Sequence, residues 1–189
     1  MVRSSILDEA RGLPREPTAR WVTWLFACSA VLWAGVFVWQ VIALPAVFAI
    51  QFDFSGQPTS WWGKWSALSM SALIAVVLVA PAMLTSRLVL RAPHLISAPN
   101  SRWWLATPRR LRRFERLLRE DLLLLAAVSL LLLSIGEAGI TVAASLQTGG
   151  MPTAFLVAML VPLAGLIAVF VRMVGGGGRY DSQSEPEHG

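Results

Sequence analysis

The sequence predicts an all-α integral membrane protein with four transmembrane helices, and three observations carry that prediction. Residues 21–45, 66–86, 122–146 and 152–174 are long apolar runs almost free of charge. A bilayer core about 30 Å thick takes roughly 20 apolar helical residues to cross. The fifteen arginines all lie between these runs, outside them or at their very ends. The connecting segments fall alternately on two sides. Every arginine is on one of them, and Lys64, the single lysine, is on the other. A positive-inside bias of this kind puts both termini in the cytoplasm (N-in/C-in) and the segment around Lys64 outside. Finally, 56% of the 189 residues are hydrophobic and the mean hydropathy is +0.61. Once the four runs are set aside, no stretch remains that could bury a core of its own.

Charge and composition exclude several classes. The net charge is +5, but no nucleic-acid motif accompanies it, so nucleic acid is not an expected partner. In a membrane chain the arginines set topology and meet the anionic headgroups of the lipid bilayer. One cysteine, Cys28, cannot form an internal disulfide, and it reads as a small packing residue within the first span. His94 and His188 are far apart, so neither a metal site nor a cofactor is expected. The first apolar run is about 25 residues, longer than the roughly 7–15 of a signal-peptide core, and reads as a retained anchor.

The elements follow in order. Residues 1–20 carry four arginines, three acids, Pro14 and Pro17, and read as a mostly irregular cytoplasmic lead. The first helix is expected over 20–44, stopped by Pro45. Trp21, Trp24 and Trp39 sit near its ends, where an indole keeps its ring apolar and its N–H wet. Trp33, at mid-span, is expected to pack against a neighbouring helix. The outer connection 46–65 alternates Ile50, Phe52 and Phe54 with Gln51 and Asp53, which predicts a short extended stretch. Ser55-Gly56-Gln57-Pro58 is a turn signal. Trp61, Trp62 and Trp65 then lead into the second span, 66–86, where Pro81 is expected to kink the helix.

The inner connection 87–121 holds nine arginines. In its later part Leu111, Phe114, Leu117 and Leu118 recur at helical spacing among Arg109, Arg110, Arg112, Arg113 and Arg116. Glu115–Arg119 and Arg116–Glu120 are i,i+4 pairs. This predicts a basic amphipathic helix on the cytoplasmic membrane surface, flowing into the third span. The five arginines are candidate contacts to lipid or to a cytosolic partner protein. The third span, 122–146, ends in small residues that permit close helix approach. The outer turn 147–151 is short, so spans three and four form an antiparallel hairpin. Span four contains Pro162 and Gly165 and ends near Arg172. Residues 175–189 read as a disordered cytoplasmic tail.

Two stretches together resemble a known family. The first runs from Leu44-Pro45 through Phe52-Asp53-Phe54-Ser55-Gly56-Gln57-Pro58 to Trp61 and Lys64-Trp65. It resembles the outer-loop motif of a bacterial domain of unknown function shared by SdpI-like bacteriocin immunity proteins and many small uncharacterised membrane proteins. The second, Trp104-Leu105-Ala106 with Arg109-Arg110, is similar to an inner-loop segment of the same proteins. The resemblance covers roughly residues 21–135. Gln51 stands where the family usually has His, and Thr59 where it usually has Asp. Thr107 and Pro108 alter the inner motif. The family brings no established enzymatic chemistry, and immunity, known for some members, is what the resemblance implies here.

Two candidate sites emerge. The outer loop offers Gln51, Phe52, Asp53, Gly56, Pro58, Trp61, Lys64 and Trp65 as a ligand-binding set. Rings and a few charges at the membrane surface suit an amphipathic peptide, such as a peptide toxin. The bland alternative is a folded cap that anchors two helices. The second candidate is Glu137, about 22 Å along the third span at 1.5 Å per residue. An intramembrane carboxylate usually faces a partner or water; Ser69 and Gln40 are the expected partners. An enzyme is not expected, because a Ser or Cys nucleophile needs a positioned base and Cys28 has none. The expected role is therefore non-enzymatic, immunity-like or sensor-like recognition of an extracytoplasmic membrane-active ligand at the bacterial cell membrane. The alternatives are a small channel or transporter component using Glu137, or a structural partner in a membrane complex. A second copy of the chain is a further candidate partner.

Overall fold

The computed structural model describes residues 2–53, 58–91, 101–146, 152–174 and 180. Its elements in chain order are α1 (Val2–Gly12), α2 (Arg20–Ala43), β1 (Val47–Phe52), β2 (Pro58–Gly63), α3 (Lys64–Arg91), α4 (Ser101–Trp104), α5 (Pro108–Leu146) and α6 (Thr153–Val174). Four of them, α2, α3, α5 and α6, are long and apolar enough to cross a membrane. This is the build of an all-α multi-pass membrane protein. Helix is the form such runs take because hydrocarbon offers no partner to a backbone N–H or C=O. Side-chain hydroxyls inside the runs follow the same rule. Ser29 donates to the Leu25 carbonyl (2.8 Å), and Ser134 to that of Leu130 (2.7 Å).

The helix α5 is the axis of the molecule. Its apolar window is 44% buried, against 11% for α2 and α6 and 22% for α3. The other three pack around it and leave their outer faces to lipid. At 39 residues it measures about 58 Å at 1.5 Å per residue, far more than a hydrocarbon core of about 30 Å. Its first turns therefore stand outside the apolar layer. On the far side, α6 approaches it at Gly165, where a Cβ would come within 3.1 Å of Val128 Cγ1. Pro162 is buried in the same helix. The antiparallel pairing of α5 and α6 agrees with the expectation; the turn 147–151 lies outside the described residues.

Some local expectations hold and others change. The amphipathic stretch flows into the third span as expected, as the first turns of one continuous helix. Nothing between Arg119 and Leu125 breaks a helix, and α5 runs from Pro108 straight into the apolar part. The lead is not mostly irregular, since 11 of its residues form α1. Tyr180 departs from the expectation of a disordered tail: it is buried in a cluster with Ala10, Val89, Trp104, Leu111 and Phe114. The rest of 175–189 lies outside the described residues. Cys28 is exposed on α2 rather than packed inside. Pro81 lies within α3, where the sequence places it.

Between α2 and α3 the chain makes a two-stranded antiparallel sheet. Leu44 turns to an extended conformation ahead of Pro45, and its N–H still caps the Gln40 carbonyl at 3.1 Å. The predicted extended stretch begins earlier, at Val47, and acquires a partner strand, Pro58–Gly63. The pairs are Val47–Gly63, Phe48–Trp62, Ala49–Trp61, Gln51–Ser60 and Phe52–Pro58, with register shifts around Gln51. An irregularity of this kind bends the strand and interrupts strict alternation. Lys64 N–H donates to the Ala46 carbonyl (2.9 Å) and closes the unit at the start of α3.

Candidate functional site

Polar and aromatic groups gather in three places: the hairpin, the middle of the bundle, and a charged cap at the opposite end of α2 and α3 from the hairpin. The hairpin has two unlike faces because strand side chains alternate. Phe48 is 3% exposed and Leu44 5%, so the hairpin is seated on the helix ends below it. On the other face Trp61 is 62% exposed, and just beyond the strand Trp65 is 71% exposed. Gln51 and Asp53 are exposed beside them. Lys64 Nζ lies 5.9 Å from the Trp65 ring centre, within cation–π reach. Pro58 is half-buried at the start of β2, and Phe52 pairs with it through the backbone. Gly56, with Phe54 and Gln57, lies outside the described residues. The hairpin thus brings Gln51, Asp53, Trp61, Lys64 and Trp65 to one end of the molecule.

In the middle of the bundle Glu137 is 7% exposed. Gln40 of α2 reaches it, but at the main chain: its Nε2 donates to the Glu137 carbonyl at 3.4 Å. Thr141 Oγ1 donates to the same carbonyl at 2.7 Å. Ser71 of α3, not Ser69, faces the carboxyl. Residues two apart lie about 200° apart around a helix, so only one of the two serines can point inward. Regular hydrogen-bond geometry is not reached, and among the described residues Ser71 Oγ and both carboxyl oxygens of Glu137 stand buried without a hydrogen-bond partner, as does the Trp33 indole N–H. Trp33 itself is half-buried between α2 and α3, stacked on Phe37 with ring centres 5.3 Å apart.

The cap is built on the first turns of α5. Arg112 turns inward and donates to three backbone carbonyls of the lead: Ala10 (2.6 Å), Arg11 (3.0 Å) and Leu13 (2.8 Å). Arg119 Nη2 donates to the Glu16 carbonyl (2.6 Å). Glu115, its side chain 2% exposed, accepts from Arg112 (3.0 Å) and Arg119 (3.1 Å), and Arg15 Nε lies 3.4 Å from it. The expected Glu115–Arg119 pair is therefore present. Arg116 pairs with Glu16 (3.1 Å), while Glu120 accepts the Ala19 N–H (3.0 Å). Asp121, fully buried, accepts from the Tyr180 hydroxyl (2.8 Å) and meets Arg172 at 3.2 Å. Trp104 Nε1 closes the circuit on the Tyr180 carbonyl at 3.2 Å.

The five arginines read as surface contacts thus occupy different environments. Arg112 is buried, Arg116 pairs within the chain, and Arg110 lies 4.1 Å over the Trp103 ring. Arg113 is half-buried and Arg109 is exposed. The residues that sequence reasoning missed are Arg15, Glu16 and Tyr180. Their signal was faint: three acids, Glu115, Glu120 and Asp121, set among six arginines on the same helix ask for an internal network rather than a solvated face.

The model of a family described as a domain of unknown function, DUF1648, matches residues 24–75. That stretch takes in most of α2, the whole hairpin and the first part of α3. No curated protein and no solved structure matches the chain.

Proposed function

We propose that the chain is a non-enzymatic bacterial membrane receptor, immunity-like or sensor-like, that recognises an extracytoplasmic membrane-active ligand with its hairpin. The observation that carries the reading is the pair Trp61, largely exposed on β2, and Trp65, largely exposed in the first turn of α3, while Phe48 on the hairpin's opposite face is buried. Exposed aromatic surface on an anchored element marks contact with a partner or an interface. The match to DUF1648 centres on the same hairpin and its two flanking helices. The likeness of the motif to SdpI-like immunity proteins favours a peptide toxin as the ligand. Positive-inside bias supports an orientation with the arginine-rich cap and both termini in the cytoplasm and the hairpin outside.

The test is survival of cells with and without the protein when challenged with membrane-active peptides. Protection is expected to disappear with Trp61→Ala and with Asp53→Ala at unchanged membrane abundance. Protection that persists in both variants would reject the hairpin as the site.

A second reading, a small channel or transporter component, rests on Glu137, a buried carboxyl whose two oxygens reach no regular hydrogen bond among the described residues. Reconstituted vesicles whose ion flux is unchanged by Glu137→Gln would reject it. Docking of a cytosolic partner on the basic segment draws less support, because Arg112 is bound to the chain's own backbone.

A further inference from the structure

Two clefts lie end to end along α2 and α3. One, about 560 Å³, opens at the cap and is lined by Arg15, Thr18, Thr23 and Arg119 among others. The other, about 370 Å³, is lined by Ala30, Trp33, Ala34 and Val79, with Leu130 of α5 as its floor. Phe26 lines both. They are consecutive sections of one furrow, polar at the cap and apolar towards the centre of the bundle. From Phe26 to Ala34 the apolar section follows α2 for about 12 Å. Alanines on both walls, Ala30 and Ala34 facing Ala75 and Ala80, leave it open to the lipid side.

Two observations say what the polar section lacks. Arg119 has a side chain only 8% exposed, and its buried Nε has no acceptor among the described residues. Basic groups also crowd there. Arg15, Arg112 and Arg119 converge on Glu115, with Glu120 a further carboxylate acting on Arg119, and Arg15 is close enough to repel Arg119. Glu16 lines the same section, but Arg116 already holds it at 3.1 Å. An anion between Arg15 and Arg119 would satisfy the free donor and relieve the repulsion. The depth suits a headgroup. Arg119 lies three residues before Leu122, about 4.5 Å outside the start of the apolar run.

We propose that this furrow holds one acidic phospholipid of the surrounding bilayer, its phosphate between Arg15 and Arg119 and one acyl chain along the alanine-lined section over Leu130. A soluble anion would use only the polar half, and a neutral chain only the apolar half. Their end-to-end placement on either side of Phe26 favours a molecule that carries both. The site lies at the cap, away from the hairpin, and stands independently of the receptor reading.

The experiment is native mass spectrometry of the full chain in detergent, titrated with dioleoyl phosphatidylglycerol or dioleoyl phosphatidylcholine, whose acyl chains are the same. The acidic lipid is expected to bind in preference, with one molecule retained. Arg15→Gln is expected to weaken it roughly five-fold, the worth of one arginine near a lipid phosphate. The Arg15 side chain is 57% exposed, so the buried pairs of the cap survive the change. Ala34→Leu, which fills the apolar section, is expected to weaken binding as well. Equal binding of the two lipids overturns the proposal, as does binding that neither variant alters. Displacement by inorganic phosphate, with Ala34→Leu without effect, would assign the polar section to a free anion and overturn the lipid. A second readout covers a variant that fails to fold. Brominated-chain phosphatidylglycerol should quench the wild-type tryptophan emission more than that of Trp33→Phe; equal quenching counts against the acyl-chain position.

Discussion

Replacing Glu115 by Gln should detach the N-terminal lead from α5 while leaving the membrane helices assembled. The carboxylate is 2% exposed and sits 3.0 Å from Arg112, 3.1 Å from Arg119 and 3.4 Å from Arg15. At an effective dielectric constant of about 20, each of the two closer contacts carries roughly 5 kcal/mol of gross Coulomb attraction. Much of that offsets the cost of taking the charges out of water. What remains after one partner is removed from a buried pair is a loss of about 3–5 kcal/mol, because the surviving charges stay buried. Here two guanidinium groups are stranded, with side chains 10% and 8% exposed. Those same groups hold the carbonyls of Ala10, Arg11, Leu13 and Glu16. The lead should therefore open locally before the bundle does. Hydrogen exchange of the purified protein in detergent reads this directly. Amides of residues 10–19 should exchange at least a hundred-fold faster in Glu115→Gln, the equivalent of about 3 kcal/mol, while those of residues 124–143 should not change. A change below about 1 kcal/mol, the size found for solvent-exposed pairs, would refute the reasoning and mean that water enters the cluster.

Three further outcomes are expected. Arg112→Lys keeps the charge but loses the planar fork that serves three carbonyls; it should lower stability by about 1–3 kcal/mol and free the lead to trypsin, and a wild-type cleavage pattern would argue against it. Gly165→Leu must displace Val128, which a Cβ would already meet at 3.1 Å; it should cost about 1–3 kcal/mol in thermal unfolding in detergent, with the α5–α6 contact as the part that loosens. Glu137→Met removes two buried oxygens that reach no regular hydrogen bond among the described residues, so stability should hold or rise by about 1–3 kcal/mol. A clear fall in the thermal midpoint would show that the carboxyl is bound by a group whose loss the helix feels.

The spans were legible because crossing hydrocarbon is a local demand. The apolar runs 66–86 and 152–174 reappear inside α3 (Lys64–Arg91) and α6 (Thr153–Val174). Pro45 marks the end of α2 as expected, since a residue before proline leaves the helical region. The hairpin was half legible. Its first strand shows as alternation at Ile50 and Phe52, while the irregularity near Gln51 hides the register and the partner strand reads only as a cluster of tryptophans before a helix. Of the candidate site residues, Trp61 and Trp65 could be named from type and place, since an exposed indole near a helix end needs no distant partner. The neighbours of Glu137 could not be named as surely. Ser69 and Ser71 differ only in helical phase, and the phase of α3 is set by what α5 presents to it.

Composition and order along the chain did not reach α1 or the full length of α5, but they were enough for the four membrane-length helices and the end of the molecule that carries the arginines. Each of these depends on the free energy of short segments in water or in lipid, which a segment carries with it wherever it sits. Tertiary structure alone decided what the arginines do. Arg112 finds Ala10 at a separation of 102 residues, Arg119 finds Glu16 at 103, and Asp121 finds Tyr180 at 59. A guanidinium on an amphipathic helix serves a lipid phosphate or a backbone carbonyl equally well. The choice falls to the carbonyls here because the lead folds back along α5, excludes water, and makes each buried donor costly to leave unmatched.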